Sequence, residues 1–235
     1  MRAAVQKLCL GIFITGCIAT VFCVAQNAGE TPGLDKVLAQ MDTAAKNFKP
    51  IEASVEWDQY DKVIDETDVQ KGKIYFRRQN GGVQMALDLV EPDKKFVLYN
   101  AGKIQVYQPK IDQVTEYDAG KKASDVESFL VLGFGGSGHD LYKSYDVKYL
   151  GPEKVNNIAT NQLELTPKSA SVRSNIAKVI LWIDPRGLAL QQKFFEPSGN
   201  YRLVKYSEIQ ENQKLPDSDF KLKTTSKTKF LSPQS

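Results

Sequence analysis

The side chains that could carry out chemistry are few and scattered. The single histidine, His139, stands among glycines in LGFGGSGHD. No Ser-His-Asp set can be assembled around it, and there is no G-x-S-x-G nucleophile elbow. It reads as a loop or capping residue. The same stretch lacks the G-x-x-x-x-G-K-[ST] spacing and the βαβ setting of a phosphate loop. Cys9, Cys17 and Cys23 are the three cysteines, and all lie within the first 25 residues. A chain cut after Ala25 would have no thiolate nucleophile, no disulfide and no cysteine zinc ligand. Asp61, Asp65, Glu66 and Asp68 are dispersed along a loop and read as solvated, not as a calcium site or an acid/base pair. The expectation is a protein that is not an enzyme and needs no metal or cofactor.

One cation stands in a setting that asks for a role. In GKIYFRRQNGG, residues 72–82, strand alternation puts Ile74, Phe76 and Arg78 on one face and Lys73, Tyr75 and Arg77 on the other. A guanidinium closing an apolar face can snorkel to the rim. It can also donate to carbonyls of whatever covers that face. Both readings stand at this point.

The elements around it follow from periodicity. Arg2 and Lys7, then an uncharged apolar run over residues 8–25, have the layout of a secretory signal peptide with cleavage before Gln26. Lipidation at Cys17, in Ile14-Thr15-Gly16-Cys17, and retention as an anchor helix are the alternatives. Residues 26–235 then form one domain with 29 basic and 28 acidic side chains, which gives no nucleic-acid footprint. Thr31-Pro32 predicts a helix start, and apolar residues from Leu34 to Phe48 give residues 32–48 one apolar face. From Ile51 the period is two. Short strands alternate with turns at Asn80-Gly81-Gly82, Glu91-Pro92-Asp93, Asn100-Ala101-Gly102, Asp184-Pro185-Arg186-Gly187 and Pro197-Ser198-Gly199-Asn200. A final strand is expected near Phe220, with a loose tail after it.

Residues 120–142 interrupt the strands. Ser124 and Glu127 form a capping-box pattern ahead of a short apolar helix over 124–134, with Phe129, Leu130, Leu132 and Phe134. Gly133, Gly135, Gly136 and Gly138 suggest a hinge for a lid. The total is about ten or eleven strands. That predicts a mainly β fold, a single strongly curved antiparallel sheet forming an open, unclosed barrel with helices over its mouth. Val55, Trp57, Ile74, Phe76, Met85, Leu87, Leu89, Phe96 and Leu98 are the candidates to line its concave face.

The order of these pieces resembles a known family. An amphipathic helix precedes a strand ending at Trp57. Then come V-Q-K-G-K-I-Y-F-R-R, a strand with L-x-x-x-E-P-D, V-L-Y-N-A-G-K-I-Q-V-Y-Q-P, a short apolar helix, L-E-L-T-P-K and I-L-W-I-D. Over about residues 31–222 this is similar to the LolA family of periplasmic lipoprotein carriers and its outer-membrane lipoprotein-sorting relatives. The resemblance implies an unclosed barrel with a hydrophobic cavity and a lid, holding lipoprotein acyl chains. It implies a monomer that takes cargo from an inner-membrane lipoprotein-releasing ABC transporter and delivers it to an outer-membrane lipoprotein receptor. Arg78 matches the family arginine that holds the lid closed and is linked to release. Gln79 stands where the family usually has proline, and Met85 and Leu87 replace aromatic residues. The alternative on the same scaffold is a periplasmic lipid or lipoprotein sensor, or a LolB-like outer-membrane receptor if Cys17 is lipidated.

Overall fold

The computed structural model describes residues 32–79, 82–118, 120 and 129–233. The N-terminal segment to Thr31, the Asn80-Gly81 turn pair and the capping-box residues Ser124 and Glu127 lie outside these. The first helix, α1 (Pro32–Lys46), has Asp35 in its first turn and Lys46 in its last, as the helix dipole favours. Leu34, Val37, Leu38 and Met41 recur at three- and four-residue spacing and are buried.

Twelve strands follow in one sheet. They are β1 (Ile51–Asp61), β2 (Glu66–Gln79), β3 (Gly82–Glu91), β4 (Lys95–Asn100), β5 (Lys103–Gln108), β6 (Gln113–Asp118), β7 (Tyr145–Val155), β8 (Ile158–Pro167), β9 (Lys178–Ile183), β10 (Ala189–Phe195), β11 (Tyr201–Glu211) and β12 (Lys229–Leu231). Their order is β12-β6-β5-β4-β3-β2-β1-β11-β10-β9-β8-β7. Two antiparallel meanders are therefore joined where β1 pairs with β11. The sheet does not close, because β12 and β7 form its two ends. Short helices α2 (Leu141–Ser144) and α3 (Ala170–Arg173) interrupt the second half.

The bends are local. Between Lys71 and Gly72 the register of β2 against β3 shifts, and a Cβ at Gly72 would stand 2.0 Å from the Asp88 carbonyl oxygen. Only glycine allows that approach. A second bulge lies where β11 meets β1 at Ser54, with Glu208 at φ 50°.

Apolar burial falls into three groups. One lies between α1 and strands β8 and β9, with Leu38, Met41, Leu163, Leu165 and Leu181. The next collects Ile51, Val55, Ile74, Phe76, Leu87, Leu89, Tyr99 and Phe134, bringing β1 to β4 against the segment after residue 128. The third lies on the opposite face of the sheet, where Ala86, Leu98 and Phe220 are buried together.

That third group corrects the expected C-terminal strand. Phe220 sits in a 3-10 turn (Asp217–Phe220) and is only 6% exposed. The residues around it, DSDF, have no two-residue alternation to extend a strand. Phe220 instead caps the outer face, with the Arg77 guanidinium 4.0 Å from its ring centre and paired to Asp217 at 2.8 Å. The last strand is β12, and it runs parallel to β6, the one parallel pair among the described strands.

Candidate functional site

A cavity of about 260 Å³ opens on the concave face. Strands β1, β2 and β3 supply Val55, Trp57, Ile74, Met85 and Leu87 to its wall, and Phe129, Leu130 and Phe134 cover it. These eight are expected cavity and lid residues that the fold brings together. Phe76 and Leu89 are fully buried beneath the wall in the same apolar group. Phe76 packs edge-on against Phe48 at 5.5 Å. Leu132 turns the other way, into the group under α1.

Phe96 and Leu98 do not belong to the cavity. Leu98 pairs with Ala86 and Phe96 with Asp88, whereas Val97 pairs with Leu87 and Tyr99 with Met85. Strand alternation therefore sends Val97 and Tyr99 inward and puts Phe96 and Leu98 under Phe220. KKFVLYN has apolar side chains on both faces, so its pattern alone leaves the inward face open.

The far wall comes from residues the sequence reading did not single out: Ile176, Gln192, Phe194, Arg202, Val204 and Tyr206. Arg202, Val204 and Tyr206 alternate along β11, which was a usable signal. What hid them was topology, since β11 is distant in sequence but is the direct neighbour of β1. Tyr206 packs on Phe134 with ring centres 4.7 Å apart, and burial pushes its hydroxyl well above the ordinary value, so it stays neutral.

The cover is fixed at several points. Residues 129 and 130 are helical and 131–135 form turns; the rest of the expected lid helix lies outside the described residues. Gly136 donates to the Val131 carbonyl at 3.0 Å. The glycines expected as a hinge are close contacts. A Cβ at Gly138 would meet the Leu38 carbonyl oxygen at 2.3 Å, and one at Gly133 would meet Gln192 at 1.9 Å. Gly135, at φ +84°, lies against the Phe48 ring. Absent side chains here let the backbone press onto α1 and the sheet.

Two polar ties complete this. Arg78, at the end of β2, donates from Nη2 to the Gly135 carbonyl at 2.6 Å and from Nη1 to the Ala45 carbonyl at 3.4 Å. Its guanidinium stands 4.9 Å from the Phe48 ring centre. From α1, Asp42 accepts the Ser137 hydroxyl at 2.6 Å and the His139 backbone N–H at 3.1 Å, and its other oxygen meets the His139 ring. Burial works to raise the Asp42 carboxyl, but the bonds from Ser137 and His139 outweigh it and hold it below its ordinary value. Arg78 and Asp42 also share the wall of a more polar cleft of about 500 Å³ between α1 and residues 131–145.

The arrangement is an apolar cavity beneath residues 129–135, a segment that Arg78 ties to β2 at Gly135 and Asp42 ties to α1 just beyond, at Ser137. Among the described residues, no group of three or more His, Cys, Asp or Glu side chains could hold a metal ion. No described helix is long and apolar enough to cross a membrane.

Comparison with known proteins places this architecture. The family model described as outer membrane lipoprotein carrier protein LolA matches residues 47–223. The chain belongs to the LolA family. Among solved structures it is similar to MucB, with 13% identity, 82% of this chain and 63% of MucB covered, and a TM-score of 0.52. It is also similar to an uncharacterized conserved protein from Thermus thermophilus, with 14% identity, 85% and 96% coverage and a TM-score of 0.50. A LolA superfamily protein from Nitrosomonas europaea aligns at 15% identity over 80% and 97% of the two chains, with a TM-score of 0.41. The chain spans less than two thirds of MucB. The comparison with curated proteins gives no match. LolA membership makes this a binding-domain fold, and the LolA match spans every strand of the sheet except β12.

Proposed function

We propose that the protein carries the acyl chains of lipoproteins across the periplasm, loading at an inner-membrane lipoprotein-releasing ABC transporter and unloading at an outer-membrane receptor. The observation that carries this reading is the apolar cavity beneath a cover held by Arg78. Each buried acyl methylene contributes about 0.8 kcal/mol, so a fully accommodating cavity would release its cargo too slowly. A closed cover that must be displaced offsets part of that gain. The cavity, at about 260 Å³, lies just below the range of roughly 300–1,000 Å³ typical of small-molecule sites. A whole acyl chain therefore requires residues 129–135 to move away, which breaks the Arg78 bond to Gly135. Cargo binding and latch closure compete for one equilibrium.

The test is uptake of a fluorescent fatty-acid probe, with mass spectrometry of the purified mature protein. Saturable probe binding without turnover, copurified acyl chains and a Gln26 start are expected. Absence of probe binding sinks the carrier reading. A lipidated Cys17 start would move the protein to the receptor role.

A further inference from the structure

Trp57 and Gln192 bring polar groups to the wall of the apolar cavity. Trp57 pairs with Val204 across β1 and β11, and Val204 pairs with Gln192 across β11 and β10. The three form one row, and all three line the cavity. The Trp57 indole nitrogen is buried and has no hydrogen-bond partner among the described residues. Gln192 is only 4% exposed. A buried donor left unpaired costs about 1–3 kcal/mol, and such groups are rare in folded proteins.

No acceptor of the wall reaches the indole. Val204 separates it from Gln192, and on the other side the wall continues along β2 and β3 as Ile74, Met85 and Leu87. Arg202 lies one inward-facing position along β11, half-exposed and committed to Glu196 at 2.6 Å. It too can only donate. With the cover closed, the Gln192 amide lies against the backbone at Gly133, where any Cβ would collide with it. The row lies between an apolar end, where Phe134 packs on Tyr206, and the half-exposed Arg202. An acceptor at the head of a bound chain would give the unpaired indole N–H a partner and leave the hydrocarbon to the aliphatic wall.

We propose that Trp57 and Gln192 form a subsite for the carbonyl oxygen at the head of an acyl chain, whether an ester or a free carboxylate. This rests on the acyl-carrier reading and adds which end of the ligand is recognised. The test is competition against a fluorescent fatty-acid probe by three ligands of one chain length: a diacylglycerol, the matching dialkylglycerol ether, and the free fatty acid. The wild-type protein should bind the ester about tenfold more tightly than the ether, which has no carbonyl. Trp57→Phe and Gln192→Leu should narrow that ester-to-ether gap to about two- or threefold, whatever each does to chain binding as a whole. If the variants weaken the fatty acid but spare the ester, the group read is a carboxylate. If they weaken the ester, it is the acyl ester. Ester, ether and fatty acid all binding within about twofold of one another in the wild type overturns the subsite while leaving the carrier reading intact. That comparison does not depend on any variant folding. Failure of all three ligands and the probe to bind overturns both.

Discussion

Arg78 reaches two carbonyls from one guanidinium, Gly135 on the cover and Ala45 near the end of α1. A lysine has one compact ammonium and cannot span both. Arg78→Leu should therefore raise affinity for an acyl probe, by about tenfold if one charge-assisted bond of roughly 1.5 kcal/mol is lost from the closed state. It should also slow probe release, and Arg78→Lys should fall between. Probe titration and stopped-flow release measure both, and unchanged values would remove the latch role. The sequence made this residue conspicuous because alternation placed a charge after Ile74 and Phe76. It could not show the two acceptors, since both are backbone atoms far along the chain. Trp57 was legible as an inward aromatic, but the isolation of its indole nitrogen depends on β11 being its neighbour.

At the scale of elements, the cover is held to α1 by Asp42 and by backbone contact at Gly138. The Asp42 carboxyl titrates below its ordinary value of 3.8 in the folded protein. Its stabilising contribution is thus present above that value and lost as pH falls through the lower folded value. Asp42→Asn should lower the denaturant midpoint at pH 7 by the equivalent of about 0.5–1 kcal/mol, modest because the carboxylate is partly exposed. The gap from wild type should close below pH 3.8, as read by denaturation curves across pH. Gly138→Ala places a methyl 2.3 Å from a carbonyl oxygen of α1. It should cost about 1–3 kcal/mol in chemical denaturation. The glycines looked like a hinge because sequence shows only what they lack. What presses against them is set by tertiary contact, so freedom and tightness have the same spelling.

For the whole molecule, strand periodicity and turn residues were enough to read a large, unclosed antiparallel sheet, though not its twelfth strand, which pairs parallel to β6. The face of β4 and the path after Glu211 were not legible, because KKFVLYN is apolar on both sides and DSDF has no period. The consequence is an outer face that needs its own cover. Phe220→Ala should uncover Ala86 and Leu98 and destabilise the protein by about 3–5 kcal/mol, measured by thermal or denaturant unfolding, while wild-type-like probe binding persists in the fraction that is folded. An unclosed sheet also has two edges, and each is a template on which another chain could add a strand. One edge ends in β12, only three residues long. The other, β7, carries Lys148 and Lys154, a register break after Tyr149, Gly151 at φ +111° and Pro152, which has no N–H to offer. Neither presents a long, flat ladder. The barrel can therefore stay open without recruiting a neighbouring sheet.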